Sequence, residues 1–409
     1  MNYNFLIQNI RLLSFGIIMA FTSSFGQTYF VSLFGPSIQL EFGLSHTSWG
    51  AVYLIGTLGS ALVLSYSGSL IDYYKLNYYT FFSVFALIFS CIFISIISSY
   101  FLLIVAIFFL RQTGQGLTSH ISSTTMARYF VKKRGTAIAI GSLGMALGEA
   151  ILPVIVVILI SVIGWRLTYF SSSLVIMFFL LPLIFLLLRK FETYFVENTS
   201  GINVLQNGSE IEISKSFTRL EVLKDFRFYL MAPGLMTPGI ILTALFFHHL
   251  NIADSKNWSH LWITGNYFIY SFSVSFIAIV VGSLIDKFTA KALVIFSLIP
   301  LIFSMLCLSF SFNPYMVIPY MFFLGTSSGF TYTSHPAIIA EMYGTKYLGS
   351  IKSLLSALTV FGSAIGPIIL GALMDLNFSI EVILIYFSIY SFVCTLLFIF
   401  ALQKKNNYV

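Results

Sequence analysis

Charge is scarce in this sequence. Only 9% of the 409 residues are Asp, Glu, Lys or Arg, while 58% are hydrophobic and 17% aromatic. No water-soluble core of this size could hide so much apolar surface, so a soluble enzyme or binding module is excluded and a polytopic membrane protein remains. Cysteine is nearly absent too. Cys91, Cys307 and Cys394 all fall inside long apolar runs, which excludes a disulfide framework. The chain lacks a G-x-x-x-x-G-K-[ST] phosphate loop, so ATP does not drive it directly, and its six histidines have no metal-motif spacing such as H-E-x-x-H. Neither a cofactor nor a covalent catalyst is expected. No cleavable signal peptide is evident, because the first apolar stretch is long enough to span.

The apolar runs that are present can be counted against the roughly 20 residues that an α-helix needs to cross about 30 Å of hydrocarbon. Polar or turn-rich breaks fall near 35–47, 72–77, 98–101, 128–134, 163–166, 189–227, 251–260, 286–291, 311–315, 341–349 and 375–380. These breaks divide the chain into twelve predicted transmembrane helices. A net charge of +7 could point to nucleic acid, but 18 of the 21 Lys and Arg fall on one side, leaving Arg166 and Lys256 on the other and Arg111 within a span. That is the positive-inside asymmetry, and it predicts both termini in the cytoplasm. The expected location is a bacterial inner membrane, with the lipid bilayer as a partner and no nucleic acid.

The five letters GSLID occur twice, at Gly68–Asp72 and again 214 residues later at Gly282–Asp286. At the same offset Tyr53 answers Tyr267, FFL at 108–110 answers FFL at 322–324, Gly148 answers Gly362, and Pro153 answers Pro367. Collinear matches of this kind predict two copies of one six-helix unit, related by an axis along the membrane normal. The boundaries expected are an N-terminal half at 1–188, a polar cytoplasmic linker at 189–227 and a C-terminal half at 228–409.

Two six-helix halves with a glycine and an aspartate in the loops after helices 2 and 8 resemble the major facilitator superfamily, which carries G-x-x-x-D-R/K there. Gly282 to Lys287 fits that pattern, whereas the first copy has Tyr73 at the basic position. The resemblance implies an all-α fold of two pseudo-symmetric six-helix bundles and a gating role for Gly68, Asp72, Arg134, Gly282 and Asp286. The two glycines would let helices approach, and the aspartates would face the N-terminal ends of helices 11 and 5. A plain turn with a solvated acid is the alternative. The stretch ARYFVKKRGTAIAIGSLGMALGEAILP, with Arg134–Gly135 opening helix 5 and Gly141, Gly144 and Gly148 behind it, looks like the branch of monocarboxylate porters and oxalate/formate antiporters. Helix 8 carries no basic residue, which argues against oxalate itself.

Of the 35 charged residues, only Arg111 and Glu149 fall deep within spans. Ionised side chains cost about 2.5–3.5 kcal/mol there even on a lenient scale. Both lie at matching depth, about 25 and 21 Å from the basic side at ~1.5 Å per residue, so consecutive antiparallel helices would make them neighbours. Two interpretations stand side by side: an ion pair that pins helix 4 to helix 5, and an anion site. Arg111, Gln115, Thr118, Ser122 and Thr125 recur at helical spacing, a polar stripe expected to face a water-filled cavity. Matching polar sets are Ser24, Gln27 and Thr28 on helix 1, Asn266 and Tyr270 on helix 8, and Tyr332 and His335 on helix 10. Each could equally join helices by hydrogen bonds. Glu149 and His120 are candidate proton carriers. The function expected is secondary active transport of a small organic anion, a monocarboxylate first, with protons as coupling partner. Proton-driven efflux of amphipathic solutes or drugs is the alternative. A non-transporting receptor with a transporter fold is a third possibility from another class.

Overall fold

The computed structural model describes residues 7–130, 134–189, 217–344 and 347–403, and among them every regular element is helical. Nine helices are long and apolar enough to cross a membrane, and a bent pair adds a tenth. One of the nine, Thr136–Leu188, is 53 residues long. That is more than twice the roughly 25 residues needed for one crossing even with tilt. Gly164 divides it at φ 78°, ψ 165°, a conformation that an L side chain rarely adopts. The 27-residue helix Val317–Tyr343 is long enough to span but carries TSSGFTYTSH along its middle. Together these make twelve rods.

α1 is the bent pair Ile10–Gly26 and Thr28–Phe42, bent by 44°. α2 is His46–Asp72, α3 Leu76–Ile96 and α4 Tyr100–Tyr129; α5 and α6 are residues 134–163 and 165–188 on either side of Gly164. α7 is Phe226–Phe247, α8 His260–Ile285, α9 Ala290–Ser309, α10 Val317–Tyr343, α11 Leu348–Asp375 and α12 Ile380–Gln403. Polar caps start several of them: Ser45, Ser99 and Asp225 accept from the backbone N–H of Ser48, Leu102 and Arg227 at the heads of α2, α4 and α7. Within the linker, Thr218 and Glu221 form a capping box on the short helix Arg219–Lys224.

α1 lies along α5, α7 along α11 and α8 along α10; α2 with α11 and α5 with α8 join the first six helices to the last six. The outside of the bundle is covered with large apolar side chains such as Phe82, Phe179, Phe272 and Phe400, a surface suited to lipid rather than water. On the basic face, Arg11 donates to the carbonyls of Leu186, Leu187 and Arg189 and so closes the end of α6. The two cations of the opposite face are both paired. Arg166 and the Trp165 Nε1–H hold Glu41 at 2.5 and 2.6 Å, and Lys256 holds Glu381 at 2.8 Å.

Candidate functional site

The site is built around a break in α1. At Gln27 the backbone leaves the helix (φ −76°, ψ 155°) after a single 3-10 turn, Ser24–Gly26, and re-enters at Thr28. Glycines make room for it. A Cβ on Gly26 would fall 2.2 Å from the Leu110 carbonyl of α4 and 2.7 Å from the Gly114 Cα, and a Cβ on Gly148 of α5 would fall 2.0 Å from Ser24 Oγ. The broken turn is thus wedged between α4 and α5 at mid-membrane depth.

α4 departs from ideal geometry at the same level. Residues Arg111–Thr118 wind as a π-helix, a local widening of the turn that often marks functional sites. Arg111 is 1% exposed and donates from Nη1 to the Gly26 carbonyl at 3.1 Å and to Thr28 Oγ1 at 3.2 Å. Its guanidinium lies 5.0 Å from the centre of the Tyr53 ring, whose hydroxyl is 2.5 Å from Thr28 Oγ1. The Arg111 Nε–H has no partner, and among the described residues no carboxylate lies within ion-pair distance of the guanidinium.

Arg111 and Glu149 are therefore not neighbours. Because the α1 break occupies the space between α4 and α5 at this depth, each charge faces a different side of α1. Consecutive residues show the partition: Thr28 bonds Arg111, whereas Tyr29 stands within electrostatic range of Glu149. Glu149 instead reaches across to α8, where Ser271 Oγ donates to its Oε2 at 3.2 Å. The phenols of Tyr267, Tyr270 and Tyr332 stand within range of the same carboxylate.

The other expected residues divide into those brought to this region and those turned away. Ser24, Gln27, Thr28, Tyr270 and Tyr332 are brought in. Gln27 Nε2 contacts Ser23 Oγ at 3.5 Å and Met145 Sδ at 3.6 Å, and Tyr270 donates to Ser328 Oγ at 3.0 Å. Tyr332 is 59% exposed although it sits in the middle of α10, so its ring opens on the central space. Gln115 is half-buried within the π-segment. The stripe below it is not cavity-facing: Thr118, Ser122 and Thr125 are buried, and Ser122 donates to the Gly16 carbonyl of α1 at 2.7 Å. The π-winding shifts the register that an α-helical count assumes. Asn266 spends its amide on the Trp262 carbonyl one turn back, at 2.8 Å. His335 is buried toward α9 and α12, 3.5 Å from Ser297 Oγ and 6.0 Å between ring centres from Phe398.

Among the described residues, the basic face is open and the opposite face closed. A cavity of about 1100 Å³ between α2, α4 and α11 is lined by Leu58, Leu64, Gly68, Asp72, His120 and Phe361, among others. His120 thus lines the vestibule rather than the deep site. Asp72 is bonded to Arg128 on α4, within the first six helices, and the first side chains of α11, where the sequence expects it, lie outside the described set. Among the described residues, a Cβ would come no nearer to a neighbour than 3.6 Å at Gly68 and 3.9 Å at Gly282, ordinary contact distances. Arg134 and Asp286 have side chains outside the described set. On the opposite face the helices touch. A Cβ on Gly50 of α2 would fall 2.7 Å from the Ile368 Cα of α11, and the Asp375 carboxylate accepts from the His46 and Thr47 N–H groups at 3.1 and 2.8 Å. Asn251 donates to His46 and His248, each at 3.2 Å, and His248 Nε2 donates to the Pro367 carbonyl at 2.9 Å.

Twelve helices packed this way, open on one face and sealed on the other, match a family. The sequence fits the description of the Major Facilitator Superfamily over residues 16–287 and again over residues 249–408. The chain belongs to that superfamily. Its membership makes it a membrane transporter, not an enzyme. No curated protein matches the chain. Among solved structures, a bacterial homolog of the human lysosomal transporter Spinster, in an inward-facing and occupied conformation, is 14% identical with a TM-score of 0.70, over 98% of each chain. The nucleoside transporter NupG is 12% identical with a TM-score of 0.72, over 96% of this chain and 100% of that one. At such identities the likeness establishes the fold alone.

In this superfamily member, sequence patterns pass over several residues that geometry brings forward. Tyr53 enters the sequence comparison only as a repeat partner of Tyr267, and nothing in its neighbours hints that it stacks on Arg111. Ser271 follows Tyr270 directly, yet which of the two reaches across to α5 depends on how α8 is rotated. His249, by contrast an intramembrane histidine that the sequence already marks, is held between the Tyr267 and Tyr320 hydroxyls at 2.8 and 2.5 Å, next to His248 at the sealed face.

Proposed function

We propose that the chain moves a small organic anion, a monocarboxylate, together with a proton by alternating access. The observation that carries this is the uncompensated Arg111. A fully buried cation normally has a carboxylate partner, because leaving one charge unpaired in a dry interior costs several kcal/mol. Here every partner is neutral and a guanidinium N–H stays unspent, so a ligand carboxylate would supply both the missing counter-charge and a bidentate acceptor. One guanidinium suits one carboxylate, which favours a monoanion. The unpaired Glu149 across the α1 break supplies the second half. An anion at Arg111 and a proton on Glu149 would leave both poles neutral, and a neutral site crosses the occluded state at lower electrostatic cost.

The bodies that move would be residues 1–188 and 228–409, joined by the linker 189–227, with the basic face toward the cytoplasm of a bacterial cell. A second reading, efflux of amphipathic solutes, draws support from the apolar wall of the vestibule at Leu58, Leu62, Leu64, Val360 and Phe361. There Glu149, not Arg111, would anchor the cargo. The two are separated by Arg111→Ala in proteoliposomes. Anion transport predicts that [14C]lactate or [14C]benzoate uptake seen in wild type is lost while the protein still inserts; equal uptake by both proteins overturns the anion site.

A further inference from the structure

The residues around Arg111 do more than hold it. Tyr53 is fully buried on α2 and makes three contacts. Its ring is stacked against the Arg111 guanidinium at 5.0 Å, its hydroxyl lies 2.5 Å from the Thr28 hydroxyl that also accepts from Arg111, and its other side packs on Phe247 of α7 with ring centres 4.6 Å apart. Phe247 in turn stacks on Trp49 at 5.1 Å, one turn along α2 from Tyr53 and next to Gly50, where the backbones of α2 and α11 meet. The gate residue His248 follows directly in sequence. Tyr53 therefore touches the deep cation on one side and the seal of the opposite face on the other.

We propose that Tyr53 is the positioning residue through which occupancy of Arg111 is transmitted to the seam between α2, α7 and α11. This rests on Arg111 being the anion anchor. While the site is empty, Thr28, the Gly26 carbonyl and the Tyr53 ring are the contacts of Arg111 among the described residues, and they hold Tyr53 down against Phe247. A carboxylate that takes over the guanidinium competes for the same donors and weakens the cation's hold on the Thr28–Tyr53 pair. Released from below, Tyr53 gives less support to Phe247 and Trp49, and the seam opens more readily. Binding thus favours the state in which the opposite face is accessible, as alternating access requires of a differential contact between two states.

The test needs no ligand, because Arg111→Gln removes the cation as an arriving anion would neutralise it. A reporter cysteine replaces Ile368 in the seam, on a background with Cys91, Cys307 and Cys394 changed to Ala, and its maleimide labelling rate is measured in detergent. Arg111→Gln is expected to raise that rate about fivefold, the change that one hydrogen bond's net contribution makes in an equilibrium. In a Tyr53→Phe background, which keeps the ring, the same substitution is expected to add less than about twofold. Thr28→Val interrupts the link from its other end and should give the same loss of effect, so a misfolded Tyr53 variant would not stop the test. An Arg111→Gln effect that persists undiminished in both backgrounds, or that is absent from the parent, overturns the proposal. Failure of the anion reading shows separately, as no thermal shift of the parent protein with lactate or benzoate.

Discussion

Two ionisable side chains, Arg111 and Glu149, lie deep among the helices, and among the described residues each has only neutral partners. For Glu149 the partner is the Ser271 hydroxyl, 3.2 Å away on the far side of the interface between α5 and α8. A carboxylate so placed has a proton as its available counter-charge, which is why Glu149→Gln, a permanent mimic of the protonated acid, is expected to keep substrate exchange and lose accumulation driven by a pH gradient. Counterflow and gradient-driven uptake measured on the same proteoliposomes check this; gradient-driven accumulation that survives removes Glu149 from coupling. That both charges lie deep in the bundle was legible in the sequence, since only two of 35 charged residues fall far inside spans. Their relation to each other was not. Equal depth on consecutive helices implies contact only if nothing stands between them, and the unwound turn Ser24–Gly26, which no local sequence signal announces beyond the glycine at Gly26, fills that space.

Helix-scale packing depends on glycines in α5 rather than on those of the repeated GSLID motif. A Cβ on Gly144 would sit 1.9 Å from the Ile17 carbonyl of α1, backbone against side chain with no flexible neighbour to yield. Gly144→Ala should therefore push α1 and α5 apart at a cost of about 1–3 kcal/mol, whereas Gly282→Ala meets nothing closer than 3.9 Å and gains helix propensity of about 1 kcal/mol. Apparent melting temperatures in detergent should fall for the first and hold or rise for the second; equal melting of Gly144→Ala and wild type contradicts the packing described. The small face of α5 at Gly141, Gly144 and Gly148 was readable from spacing, because glycines at helical intervals mark close approach in membranes. The motif glycines were misleading for a physical reason. The face they serve is open in this conformation, so the contacts they would permit are not made.

Across the whole molecule, the number of helices, the charge asymmetry and the all-α class followed from apolar run lengths and the placement of Lys and Arg, because the bilayer leaves a chain few other ways to satisfy its backbone. Which face is sealed did not follow, since a sequence encodes both states of an alternating machine. The seal rests on Asp375 at the end of α11, whose carboxylate caps the first N–H groups of α2 across the interface. An anion at a helix N-terminus contributes about 0.3–1 kcal/mol, and up to ~2 when partly buried, so Asp375→Asn should open this face roughly fivefold more often. Maleimide labelling of Ile368→Cys reads that change, and an unaltered rate would remove Asp375 from the gate.

If Arg111 anchors an anion, binding reports it more directly than transport. Thermal unfolding of the purified protein with lactate, pyruvate, benzoate, a sugar, an amino acid and a lipophilic cation would reveal a ligand as a rise in apparent stability. The prediction is a concentration-dependent rise with at least one monocarboxylate in wild type and none with the same acid in Arg111→Ala. A rise of equal size in Arg111→Ala, or a wild-type protein that answers only to the lipophilic cation, would contradict it.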